Sequence, residues 1–112
     1  MSTVVPIVGW GPVQLGNSVS VLFTNPGASK GVINRAVFTN VTGTPQSITV
    51  YVVRSGGGPT AANTVISAYN IQPGEAYVSP ELSSLVLGGG DTVQALSSAA
   101  ASITTVASGF SV

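Results

Sequence analysis

The sequence predicts an all-β protein: a two-sheet antiparallel β-sandwich, jelly-roll or immunoglobulin-like, of about eight short strands. Three observations point there. Val, Thr, Ile and Ser dominate, and helix formers such as Lys, Glu and Met are scarce. The 14 glycines and 7 prolines interrupt the chain at short intervals. The segments between them alternate in side-chain character, as strands joined by turns do. With 112 residues and no linker long enough to divide them, positions 1–112 are expected to form a single β-sandwich domain, with 1–12 as an extended N-terminal arm.

Each element follows in order. STVVPIV (2–8) reads as an edge strand, because Pro6 removes a ladder donor. GWGP (9–12) reads as a break. VQLGNSVSVLFTNPG (13–27) holds one strand centred on Val19, Val21 and Phe23, closed by the Asn25-Pro26-Gly27 turn. GVINRAVFTNV (31–41) is a strand with Ile33, Arg35, Val37 and Thr39 on one face and Asn34, Ala36, Phe38 and Asn40 on the other. After the VTGTPQ turn, QSITVYVVR (46–54) sends Ile48, Val50 and Val52 one way and Thr49, Tyr51 and Val53 the other. The short connection predicts an antiparallel hairpin between these two strands.

SGGGPTAAN (55–63) is a loop; no Lys-Ser or Lys-Thr and no helix signal follows, so it is not a phosphate-binding loop. TVISAYNI (64–71) is a strand, and QPGE (72–75) a type II turn in which Gly74 supplies the positive φ. AYVS and ELSSLVL are short elements. GGGD is a turn, DTVQALSS (91–98) a strand with Val93 and Ala95 inward, and the tail AASITTVASGFSV (100–112) the last strand.

Charged residues are 5% of the chain, against about 25% in an average soluble domain. The longest apolar runs are far short of the ~20 residues of a membrane-spanning helix, so no membrane association is expected. The start, MSTVVPIVGW, has neither a basic region nor a long apolar core and does not read as a secretory signal. Three basic residues at zero net charge do not support nucleic-acid binding. A neutral, weakly charged surface gives little protection against association, so self-association is expected.

The six charges are sorted. Lys30, Arg35 and Arg54 precede Glu75, Glu81 and Asp91, which all lie within residues 71–93. Local roles account for each carboxylate: Glu75 beside the Pro-Gly turn, Asp91 accepting backbone N–H groups after three glycines, Glu81 in the first turn of a short helix after Pro80. The chain has no Cys and no His, hence no thiolate and no imidazole base or metal ligand. Lys30 sits in a Ser-Lys-Gly turn, which argues against a buried, activated lysine. The PGE and GGGD turns each offer one carboxylate, too few for calcium. No catalytic residue, cofactor or metal site is expected, and the protein is read as non-enzymatic. Trp10, between Gly9 and Gly11, has two readings: a core anchor, or an interface anchor on the arm.

FTNVTGT, SITVYVV, SGGGPTAAN, VISAYNIQPGEAY and LVLGGGDTVQA together resemble the small all-β virion structural proteins of tailed bacteriophages. The resemblance covers about two thirds of the chain and leaves out MSTVVPIVGWGPVQLG. It implies a virion location, on the head surface or in the tail, and a partner such as the major capsid protein or another virion protein. The implied roles are capsid decoration or cement protein, or tail, collar or fibre component. The interface residues then expected are Val4, Val5, Ile7 and Trp10 of the arm, with Lys30, Arg35 and Arg54 of one copy facing Glu75, Glu81 and Asp91 of a neighbour. A reading from a different class is a carbohydrate-binding module stacking sugars on Trp10, Tyr51, Tyr69 and Tyr77.

Overall fold

The computed structural model describes residues 8–27 and 30–111. Their strands are β1 (Gly9–Gln14), β2 (Ser20–Thr24), β3 (Gly31–Asn40), β4 (Gln46–Val53), β5 (Thr64–Ile71), β6 (Ala76–Val78), β7 (Leu85–Leu87), β8 (Thr92–Ser97) and β9 (Ile103–Ser111). Sheet 1 has the order β1-β9-β3-β6, with β7 also on β3; sheet 2 has the order β2-β8-β4-β5. All pairings are antiparallel.

β6 and β7 pair with successive stretches of β3 and act as one interrupted edge strand. The chain then pairs its first strand with its last, β2 with β8, β3 with β6 and β7, and β4 with β5. A doubled-back ribbon of this kind, rolled until β3 meets β9 and β4 meets β8, is a jelly roll. An immunoglobulin-like sandwich pairs strands differently and is set aside.

The core lies between the sheets. Ile33, Phe38, Ile48, Val50, Leu82, Leu87, Val93, Ala95 and Ile103 are completely buried there. Ile48, Val50, Val52, Val93 and Ala95 point inward as their alternation requires, and Gly74 has the expected positive φ of 74°.

Four expectations are corrected. First, GWGP is not a break: Gly9–Gln14 is β1, paired with β9, so residues 9–12 belong to the sheet and not to an arm. Pro12 is tolerated because β1 is an edge strand with a register shift between Trp10 and Val13. The proposed strand 2–8 falls outside the described residues except for Val8, which is buried.

Second, β3 and β4 do not form a hairpin; they lie in different sheets. The VTGTPQ segment is a crossover organised by buried Asn40. Its amide donates to the carbonyls of Thr44 (2.8 Å) and Ile71 (2.9 Å), while its Oδ1 accepts from the Thr42 amide (2.9 Å) and hydroxyl (2.7 Å).

Third, strict alternation fails on β3. A bulge between Ile33 and Arg35 lets Ile33 point inward with Ala36, Phe38 and Asn40, while Val32, Arg35, Val37 and Thr39 point outward. Opposite the bulge stands Gly109, where a Cβ would overlap the Val32 carbonyl oxygen.

Fourth, Glu81 sits in a turn and not a helix. Residues 79–84 stay on β3 through Ser79 N–H to Ala36 O (3.0 Å) and Ser84 N–H to Ile33 O (2.7 Å), and insert Leu82 into the core.

Candidate protein-contact surface

The fold redistributes the sorted charges. Arg54 donates to Asp91 Oδ2 at 2.8 Å, within the chain. The same carboxylate accepts the Gly88 N–H (2.8 Å) and the Ser55 N–H (2.9 Å). Burial alone would raise the Asp91 pKa. The hydrogen bonds from Arg54, Gly88 and Ser55, with the Arg54 charge, outweigh it and hold the carboxyl below its ordinary value. Asp91 is therefore an internal clamp joining the end of β4 to the turn before β8, and Arg54, though largely exposed, already has its acidic partner within the chain.

Lys30, Arg35 and Glu75 are exposed, and no ion pair is formed by them among the described residues. Glu81 accepts the Tyr77 hydroxyl (2.6 Å) and the Ser79 hydroxyl (3.1 Å). Burial opposes its ionisation, but these bonds and one from its own backbone keep its pKa lowered. Tyr77 is pushed well above its ordinary value, first by burial and then by the bond to Glu81 and its charge.

Trp10 belongs to the core. It is 7% exposed, and its indole N–H donates to the Thr105 hydroxyl at 3.1 Å. Its interface reading therefore fails: a ring packed between sheets cannot anchor a neighbour. Val4, Val5 and Ile7 lie outside the described residues. For sugar stacking, Trp10 is inaccessible, and Tyr69 and Tyr77 stack on each other with centroids 4.1 Å apart. Their flank holds a cavity of about 150 Å³, also lined by Gln72 and Glu75. Tyr51 is separate, outward on sheet 2 opposite Gln94. No cluster of three His, Cys, Asp or Glu side chains suited to a metal occurs among the described residues.

The surface that stands out is the outer face of sheet 1. Register places Val32 between Phe110 and Val86, and Val37 between Val106 and Val78. These are two apolar rows running across three adjoining strand positions. Phe110 is 53% exposed, Val86 50%, Val78 48% and Val106 40%. Arg35, opposite Ser108, is the charged side chain between the rows. A shallow depression of about 240 Å³, lined by Arg35, Val37, Val106, Ala107 and Ser108, lies in the middle of this face.

None of these valines, nor Phe110, was among the expected interface residues. A signal was present: Val32-Ile33 and Val37-Phe38 are adjacent apolar pairs, so both faces of β3 are apolar. A strand apolar on both faces is one covered on both sides.

The class that this topology defines is the jelly-roll β-sandwich. No family model matches the chain, and no curated protein matches it in sequence. Among solved structures it is similar to a chain in the structure of infectious bursal disease virus Gt strain, with TM-score 0.44 and 16% identity over 95% of this chain and 30% of that one. A chain in the Gx strain structure gives TM-score 0.44 and 14% identity, over 96% of this chain and 29% of that one. This protein thus spans less than a third of the length of either.

Proposed function

We propose that this protein is a non-enzymatic structural component of a virion, a decoration or cement protein bound to the head shell of a tailed phage. The observation that carries the reading is the outer face of sheet 1, where two apolar rows stand exposed on a domain with 5% charged residues. Isolated surface valines are ordinary, but contiguous apolar rows mark contact with protein. The jelly roll closes its own core and leaves that face over for assembly. The resemblance of its motifs to those of phage virion proteins lends support from the sequence side, and the absence of Cys and His suits a role without chemistry.

Purified particles test this. Quantitative mass spectrometry should find the protein at a copy number proportional to the shell subunits. Particles lacking it should disrupt at lower temperature and regain stability when it is added back. A small fixed number of copies at the tail would move the assignment to a tail, collar or fibre component. Absence from particles would end the virion reading.

A further inference from the structure

We infer that the outer face of sheet 1 is covered by a second copy of this chain, in a two-fold dimer whose axis runs along the Val106–Val37–Val78 row. Three features converge on a self-complementary fit.

The first is size. β3 has ten residues and is about 34 Å long, and four strand positions span about 19 Å. With the axis at Val37, three residues from the end of β3, about 24 Å of that length overlaps, roughly 450 Å² of face per copy and about 900 Å² for a pair, the size of a weak, reversible contact. The second is registration. An axis across the strands at Val37 lays each copy's strands antiparallel over the other's, and stacked sheets pack about 10 Å apart. Val37, Val78 and Val106 then meet their own counterparts. Four residues along β9 from Val106 lies Phe110, and four residues the other way from Val37, just past the end of β3, lies Val41, itself 53% exposed. The apolar end of one copy therefore falls on the apolar end of the other.

The third is charge. Arg35, two residues from Val37, would lie over the row of Thr39 and Ala76 in the second copy and not over another Arg35. The two guanidinium groups are offset by about four residues, roughly 14 Å, so they do not meet head on. A two-fold contact is also the commonest form of closed assembly.

This dimer draws on the same face that carries the virion reading, and the two are tested apart: solution mass reads the dimer, and particle composition reads the virion role. Sedimentation equilibrium and light scattering on the purified chain, up to about 100 μM, should show a reversible monomer–dimer equilibrium. Val106→Asp, which puts two carboxylates at the axis, should raise the dissociation constant at least about 100-fold. Val21→Asp, at a more exposed site on sheet 2, should leave it unchanged. If circular dichroism shows that Val106→Asp does not fold, Val78→Lys on the edge of the same row is the deciding variant. A monomeric wild type at the highest concentration overturns the proposal. So does a dimer indifferent to the sheet 1 variants, or one broken by Val21→Asp.

Discussion

The two outward faces of this sandwich follow different rules. Sheet 2 turns Thr49, Tyr51, Thr92, Gln94 and Leu96 outward while Ile48, Val50, Val52, Val93 and Ala95 point in. That is the largely polar-out pattern of an antiparallel sheet with one wet face. Its one outward residue on β4 that would need cover is Val53, paired with Thr92, and it is 2% exposed because the chain beyond β4 folds back over it. Gly57 sits there, its N–H on the Arg54 carbonyl at 2.9 Å. Sheet 1 has no such cover over Val37, Val106 or Phe110 among the described residues. The chain's own loop covers Val53 on one face, while the apolar rows of the other stand exposed among the described residues.

The largest expected effect comes from removing the device that sets the sheet 1 face. The β3 bulge brings Ile33 inward and Val32 outward, and it depends on a backbone approach that only Gly109 permits. Gly109→Val should cost about 3 kcal/mol or more, lowering the melting temperature by at least about 10 °C. Gly58→Ala, where an added Cβ meets nothing within 4 Å, should change stability by no more than about 0.5 kcal/mol. Thermal unfolding followed by circular dichroism compares the two. Equal effects would mean that the bulge does not set the face.

That bulge also marks the limit of what the sequence made legible. β5 could be bounded at Thr64–Ile71, and Gly74 identified as a positive-φ turn residue, because both are written in local alternation and turn chemistry. The bulge leaves no trace in a period of two, since Asn34 looks like any other alternating residue. The partnering of β3 was equally hidden. A short connection fits a hairpin or a crossover, and the choice is made by Asn40 reaching carbonyls at residues 44 and 71. The apolar rows of sheet 1 combine residues from β3, β6, β7 and β9, so they exist only once long-range register is set.

The clamp that closes the other face ranks next. Asp91→Asn keeps the shape, but loses the Arg54 ion pair and one acceptor for the Ser55 or Gly88 N–H. A buried donor left without a partner costs about 1–3 kcal/mol, so about 2 kcal/mol is expected here. The folded-state pKa of Asp91 lies below its ordinary 3.8. Its contribution is therefore fully present above that value and is lost as pH falls through the lower folded pKa. Melting temperature measured against pH should drop at the acid end in wild type, and the drop should be smaller in Asp91→Asn. A parallel pair of curves would show that the clamp carries no pH-linked stability. Exposure of Val53 in the variant would also blur the contrast between the faces, seen as added dye binding.

The smallest effect belongs to the seam where both sheets meet, at Tyr69, Tyr77 and Glu81. Glu81 is exposed, and its bond to the Tyr77 hydroxyl competes with water, so Glu81→Gln should cost less than about 1 kcal/mol. The ionisation of Tyr77 is the sensitive readout. Burial raises its pKa first and would persist in the variant, whereas the Glu81 bond to the ionised partner and the Glu81 charge would be lost. Tyrosinate formation followed by ultraviolet absorbance should therefore begin at lower pH in Glu81→Gln than in wild type, while Tyr77 stays above the ordinary value of 10.0. No movement would mean that the carboxylate does not hold the hydroxyl in solution. The Tyr69–Tyr77 stack would then hold the Tyr77 ring without help from Glu81.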